Sequence, residues 1–251
     1  ALVTGAGRGI GREIALTLAA HGAAGIAVND FYPDRAEDVT NELRAMGTKA
    51  VPVVGDVADF DSAMDLAAHA SDALGEVDVL VNNAGNAGPL RGVADPPAFW
   101  ESLPSDWAPW LATNLYGVLN CTRAVLPAMV RRGHGRIVSV ISDAGRVGEP
   151  DLVVYASAKA GVSGFTRSIA KAVGRYGITA NCVACGYVDT PATAGLEHDP
   201  DLRERVLRGY QIKRLGRPRD VAAMVTFLAS PAASWITGQT YPVNGGYSMA
   251  Q

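Results

Sequence analysis

Seven short runs rich in β-branched and apolar residues recur along the chain: ALVT, GIAVN, AVPVV, VDVLVN, GRIVSVI, ITANCVA and QTYPV. Between them lie longer stretches whose apolar positions repeat every three or four residues, such as REIALTLAAHG and DSAMDLAAHASDALG. Strands that are apolar throughout, alternating with amphipathic helices, predict βαβ units and a parallel sheet covered by helices on both faces. Right-handed crossovers then give a doubly wound α/β sheet of about seven strands. No Ser/Pro/Gly-rich linker, fixed-period repeat or low-complexity tract interrupts the pattern, so one domain over residues 1–251 is expected. Two irregular regions remain. Residues 86–110 hold five of the 14 prolines and three of the four tryptophans, and read as a substrate loop. Residues 186–217 read as a mobile substrate region.

Composition narrows the function classes. With 251 residues, 48% hydrophobic and 19% charged, the chain suits a globular protein with a full-sized core. The net charge is −3 and the basic residues are scattered, which disfavours nucleic acid as a partner. No apolar run reaches the roughly 20 residues that span a bilayer, and ALVTGAG leads into a turn rather than a signal region, so the expectation is a cytoplasmic protein without membrane contact. Cys121, Cys182 and Cys185 are too few for a disulfide framework. If Cys182 and Cys185 share a strand, their Cα atoms stand about 10 Å apart, beyond disulfide reach. With no second Cys or His pair at ligand spacing, no metal is expected.

Directly after the first apolar run, Thr4 to Gly11 reads TGAGRGIG and opens the first helical pattern. Gly5, Gly9 and Gly11 let the backbone turn sharply and approach a pyrophosphate held by the amides and dipole of the helix N-terminus. Arg8 lies in the same loop. The spacing differs from G-x-G-x-x-G, and no G-K-[ST] ending marks a triphosphate loop. Asp30, closing the second strand, has the position of a carboxylate that accepts from an adenosine ribose and repels a 2′-phosphate, which favours NAD over NADP. Arg8 pulls the other way as a possible phosphate partner, and Asp30 also suits a helix N-cap. Asp56, after the third strand, fits an adenine amino group or an ordinary turn.

Later segments supply a second set of groups. Tyr155 and Lys159 are four apart in the helical stretch VVYASAKAGVSGF and so share a face. An ammonium nearby favours phenolate, and bringing a tyrosine from about 10 toward 7 takes on the order of 4 kcal/mol. Ser142 ends the strand GRIVSVIS, 13 residues before Tyr155, where a hydroxyl could steady a substrate oxygen. Asn114 lies in the helical stretch LATNLYGVLN, placed to bind a water that connects Lys159 to solvent.

TGAGRGIG, NNAG at Asn82 to Gly85, TNLYG around Asn114, Ser142 with its spacing to Y-x-x-x-K, and GYVDTPA from Gly186 together resemble the single-domain branch of the short-chain dehydrogenase/reductase family, over essentially the whole chain. The resemblance implies a Rossmann-like sheet, a nicotinamide cofactor, and Asn114, Ser142, Tyr155 and Lys159 as a catalytic tetrad. Lys159 would also hold the nicotinamide ribose. It implies that Asp56, Asn83 and Gly85 line the adenine and ribose side, with Ile10, Val57 and Ala84 also along the cofactor. Gly186, Val188 and Thr190 would lie by the carboxamide. A homotetramer, or less often a dimer, built through the long helices bearing Asn114 and Tyr155 is also implied.

Two departures stand out. Cys185 occupies a place where the family usually has proline, which concerns the rigidity of the following loop. The segment from Gly85 to Asn114 is several residues longer than the family pattern. Its Phe99, Trp100 and Trp107 are expected to form an apolar wall or lid over substrate, or an oligomer contact, or else simply to cover the helix beneath.

The expected activity is hydride transfer between a nicotinamide dinucleotide and a secondary alcohol or ketone. RIVSVISDAGRVG and WITGQTYPVNGG resemble 3-oxoacyl thioester reductases and dehydrogenases of cyclic hydroxyacyl-CoA or alicyclic alcohols. Arg91, Arg146 and Arg203 are the cations available to a phosphate-bearing carrier. Two other classes remain open: an isomerase or dehydratase that retains NAD, and a nucleotide sensor without catalysis. Net nicotinamide turnover separates the first reading from both.

Overall fold

The computed structural model describes residues 1–85, 98–191, 193 and 200–249. Its seven strands are β1 (Leu2–Val3), β2 (Gly25–Asp30), β3 (Lys49–Val54), β4 (Val79–Asn82), β5 (Gly135–Ser142), β6 (Ile178–Cys185) and β7 (Thr240–Val243). They form one sheet in the order β3-β2-β1-β4-β5-β6-β7, and every pairing is parallel. This is the expected Rossmann-like, doubly wound α/β architecture. The order reverses between β1 and β4, and the crevice beyond their carboxyl ends is where such sheets bind ligands.

Helices cover both faces because each carries a stripe of small or aliphatic residues. In α1 (Gly9–Ala20) the buried positions are Gly11, Ile14, Ala15 and Leu18, spaced as one helical face. They meet Val221, Val225 and Leu228 of α9 (Pro218–Ala229) and Val39 and Leu43 of α2 (Pro33–Ala45) over Val3, Val28, Val81, Val138 and Val183 of the sheet. The opposite face is covered by α3 (Phe60–Leu74), α5 (Gly117–Arg132) and α7 (Val153–Val173) over Leu2, Ala27, Leu80 and Ile137. Element ends follow local chemistry. Asp59 caps α3 by accepting from the Ser62 amide at 2.7 Å, and Gly133, at φ 68°, ends α5 in the left-handed region.

The helical stretch around Asn114 differs from the expected plain α-helix. Between α4 (Pro104–Leu111) and α5, residues Ala112–Tyr116 form a single π-helical turn. Asn114 is fully buried there, and its side-chain amide donates to the Trp110 carbonyl at 2.9 Å. Wide turns of this kind re-aim one side chain within a helix and recur at functional sites.

Cys182 and Cys185 both lie on β6. Three residues apart on a strand, they point to opposite faces: Cys182 packs with Val162 of α7, and Cys185 against the α1/α9 core. Cys121, Cys182 and Cys185 are free thiols. Among the described residues no cluster of His, Cys, Asp and Glu has the makeup of a metal site, and no helix is long and apolar enough to cross a membrane.

Candidate active site at the carboxyl edge of the sheet

The glycine loop leaves β1 at Thr4 and is held by side chains from both neighbouring strands. Asn29, on β2, accepts from the Gly5 amide at 3.3 Å and donates to the carbonyls of Val53 and Gly55. Asn83, after β4, donates to the carbonyls of Thr4 and Gly5 at 2.9 and 3.1 Å, while the Thr4 hydroxyl accepts from the amides of Asn83 and Ala84. Backbone is packed on backbone here. A Cβ on Gly11 would stand 2.2 Å from the Gly5 carbonyl oxygen, so no side chain fits between loop and helix.

The loop contains a fourth glycine that the three-glycine reading passed over. Gly7 donates its amide to Asp30 Oδ2 at 3.1 Å, and a Cβ there would lie 2.6 Å from that oxygen and 2.5 Å from Arg35 Cβ. Its signal in the sequence was simply the extra glycine in TGAGRGIG. Asp30 Oδ1 accepts from the Tyr32 amide at 3.1 Å. Asp30 therefore ties the glycine loop to the start of α2, and the N-cap position itself belongs to Tyr32. Arg8 is exposed and makes no side-chain cap on α1, which leaves the first-turn amides of that helix to an anion. Among the described residues Thr190 approaches Gly9, its Cγ2 lying 3.5 Å from where a Cβ would stand. A glycine cradle under an uncapped helix N-terminus fits a dinucleotide pyrophosphate.

Other expected cofactor positions fall along the same edge. Asp56 Oδ1 accepts from the Ala58 amide at 2.9 Å, the turn alternative for this residue, and Val57 is buried against Gly117 of α5. Ile10 packs against the α1/α9 core. Gly186 follows β6 against Tyr210, Val188 pairs with Gly216, and Thr190 is held by Thr193.

At the ends of β4, β5 and α7 the second set converges. A Cβ on Gly85 would lie 3.0 Å from Asn114 Oδ1 and 3.2 Å from Lys159 Nζ, which brings both polar groups up against Gly85. Lys159 is 4% exposed, donates to the Val140 carbonyl at 3.2 Å, and has its Nζ 5.6 Å from the centre of the Tyr155 ring. The Tyr155 hydroxyl faces Ser142, whose side chain favours the phenolate, and Ser142 Oγ accepts from the Ala144 amide at 3.2 Å. Burial sets the electrostatics. It lowers the Lys159 ammonium to about 8, against the opposing pull of the Cys185 and Cys182 thiols. It also pushes the Tyr155 phenol above its usual range, reinforced by Cys185 and Tyr187 and opposed by the Ser142 hydroxyl. Desolvation of the phenolate thus works against the expected descent of Tyr155 toward 7.

The aromatic segment, expected as a wall or lid over substrate, an oligomer contact or a cover for the helix beneath, is described from residue 98 onward. Phe99 and Trp107 stack on each other at 5.5 Å, the Trp107 indole donates to Ser102, and Trp100 is exposed. The ring that reaches the site is Trp110, edge-on to Tyr155 at 5.7 Å. Trp110 lies one turn before Asn114, and that spacing was its only sequence signal. Of the three cations, Arg146, on the short helix α6 (Ala144–Val147), is engaged with Asp143 at 2.5 Å, Arg203 is exposed on α8 (Pro200–Arg208), and Arg91 lies outside the described residues.

A dinucleotide cradle that opens onto a buried tyrosine, serine and lysine defines the class: a nicotinamide-dependent oxidoreductase acting on CH–OH groups. A family model described as enoyl-(acyl carrier protein) reductase matches residues 5–248, and the chain belongs to that family, within the short-chain dehydrogenases/reductases. It is 40% identical over 250 residues to a 3-oxoacyl-(acyl-carrier-protein) reductase of Staphylococcus epidermidis, covering 99% of this chain and 98% of the relative. The corresponding reductase of Escherichia coli K12 is 39% identical over 251 residues, covering 99% and 97%. A crystal structure of a 3-oxoacyl-(acyl-carrier protein) reductase from Brucella melitensis matches with a TM-score of 0.89 at 36% identity, covering 99% of this chain and 91% of that one.

Proposed function

We propose that this oxidoreductase reduces the ketone of a 3-oxoacyl thioester to the secondary alcohol, with NAD(H) as the preferred cofactor and Asn114, Ser142, Tyr155 and Lys159 as its catalytic set. The observation that carries the reading is the convergence of Ser142, Tyr155 and Lys159 beside the glycine cradle. The names of the relatives supply the substrate class. When bound, the nicotinamide supplies the hydride that reaches the carbonyl carbon. Ser142 donates a hydrogen bond to the carbonyl oxygen and aligns it. Tyr155 gives its proton to that oxygen as the alcohol forms, and in oxidation takes it back. A phenol held above its usual range by burial is protonated at neutral pH, which suits the reductive direction. Lys159 steadies the phenolate left behind, and Asn114, beside it, holds the route for proton return from solvent. Trp110 gives the mouth an apolar wall suited to an acyl chain.

NAD preference rests on Asp30, a buried carboxylate at the tip of β2. Arg8 and Arg35, the latter stacked on Tyr32 at 4.1 Å, are the cations that would favour a 2′-phosphate. Titration of both dinucleotides by fluorescence, then an absorbance assay with acetoacetyl-CoA, longer 3-oxoacyl thioesters and cyclic ketones, tests the reading. The expected outcome is tighter NAD(H) binding, by about tenfold or more, and steady nicotinamide consumption with a 3-oxoacyl thioester. Tighter NADP(H) binding overturns the cofactor assignment. Turnover confined to cyclic ketones overturns the substrate, and no net turnover with any panel member returns the choice to an isomerase or a sensor.

The same reading places the protein in the cytoplasm as a homotetramer, in preference to a dimer, assembled through α5 and α7. Tyr116, at the head of α5, is an exposed aromatic on that side. Sedimentation velocity is expected to give a single species of four chains; a monomer at micromolar concentration would contradict it.

A further inference from the structure

Immediately after Ser142 the chain buries a carboxylate. Asp143 is 2% exposed, and its two oxygens are taken by different parts of the molecule. Oδ1 faces Arg146 at 2.5 Å. Oδ2 accepts from the side-chain amide of Asn244 and from the Ser248 hydroxyl, both at 2.7 Å and both about a hundred residues further along the chain. The Asp143 amide donates to the Cys185 carbonyl at 2.9 Å, which extends the β5–β6 ladder one step beyond the Ser142–Cys185 pair. Arg146 also donates to the Ser248 hydroxyl at 2.8 Å, so the ion pair and the tail close into one network.

The tail reaches further round the site. The Tyr247 hydroxyl donates to Glu149 at 2.8 Å, in the segment between Ser142 and Tyr155. Its ring packs on Tyr210 at 5.1 Å, and the Tyr210 hydroxyl accepts from the Tyr187 amide at 2.7 Å. Residues 244–248 therefore hold both turns that leave the catalytic edge, the one after β5 and the one after β6. A buried carboxylate is costly unless every lone pair is matched, and a turn can be made without a charge. Here each oxygen is matched, Oδ1 by the neighbouring Arg146 and Oδ2 by partners from a segment about a hundred residues away.

We propose that Asp143 is a positioning residue, and that residues 244–248 form a strap which acts through it to hold the Ser142 hydroxyl against the substrate oxygen. The strap's catalytic meaning rests on the role given to Ser142 in the proposed function. Displacing a group by about 1 Å at a reacting centre costs up to about 100-fold in rate. Asp143→Asn keeps the volume but turns one acceptor into a donor that faces Arg146 or Asn244.

The test is a double-mutant cycle on the full chain with saturating cofactor. Asp143→Asn is expected to lower kcat by about 10- to 100-fold, with substrate KM and cofactor Kd within about twofold. In a Ser142→Ala background the same change is expected to cost less than about twofold more, because the group it positions is gone. Ser248→Ala, a gentler cut at the far end of the strap, is expected to lower kcat by about three- to tenfold with the fold intact. Losses that multiply in the double mutant, or that fall on KM and Kd alone, overturn the strap. Crystal structures of the wild type and Asp143→Asn decide the same point without turnover. A Ser142 Oγ moved away from the Tyr155 hydroxyl supports the strap, and an unmoved Ser142 overturns it. A wild type inactive on every substrate overturns the proposed function while leaving that structural comparison decisive.

Discussion

Tyr155→Phe is expected to lower turnover of any accepted substrate by about 1,000-fold or more while leaving dinucleotide Kd within about twofold. The substitution removes one oxygen. The ring keeps its edge-on contact with Trp110 at 5.7 Å, and Lys159 keeps its bond to the Val140 carbonyl. Ser142 retains the Ala144 amide as a partner, so loss of the phenol beside it costs about 1 kcal/mol of stability at most. What disappears is the phenol that faces Ser142 at the carboxyl edge. Stopped-flow and steady-state assays with a fluorescence titration check both halves. A variant that retains more than a few per cent of the rate removes Tyr155 from the chemistry. The pH profile of the wild type carries the same assignment. With the phenol held above its usual range, reduction is expected to stay level through neutral pH and to fall only in strong base, while oxidation rises with pH as the phenolate becomes accessible.

The doubly wound parallel sheet and the place of the cradle were legible because they are written locally. An apolar run followed by TGAGRGIG and an amphipathic stretch has one economical arrangement, and parallel βαβ topology then brings Asn83, Ser142 and Gly186 to one edge whatever the loops do. Tyr155 and Lys159 were legible for the same reason, since four residues is one helical turn. Asp143 was not, because its partners Asn244 and Ser248 lie more than a hundred residues away and leave no periodic trace. The π-helical turn at Asn114 escaped as well: a 3.6-residue pattern tolerates one widened turn without changing its apolar positions. Trp110 was hidden by its neighbours, as three aromatics before it looked equally suited to a wall and only the fold shows which ring faces Tyr155. Composition could not settle the balance of charge and burial at Tyr155, since desolvation depends on what surrounds the phenol in space.

Lys159→Met is expected to abolish activity and to make the protein more stable at neutral pH. Lys159 is buried, and its ammonium is lowered from 10.5 to about 8 chiefly by desolvation. In the unfolded chain the amine titrates near its ordinary value, so between pH 8 and 10.5 the unfolded state binds more protons than the folded one. The folded protein therefore gains stability as pH rises through that window, and below about 8 it carries the full cost of a buried charge. That cost is about 3 kcal/mol by linkage. Methionine fills a similar volume without charge but leaves the Val140 carbonyl short of a donor, which returns about 1 kcal/mol. A net gain of about 2 kcal/mol corresponds to a rise in Tm of roughly 4 to 8 °C for a chain of this size. Calorimetry of the cofactor-free protein at pH 7 and again above pH 11 reads the prediction. The gain is expected to be largest at the lower pH and to vanish or reverse at the higher one, where lysine is neutral in both states. A Tm that falls at pH 7 would show that Lys159 is a structural anchor whose contacts outweigh its burial. A rise confined to low pH, together with lost turnover, identifies it as a residue kept for chemistry at the expense of stability.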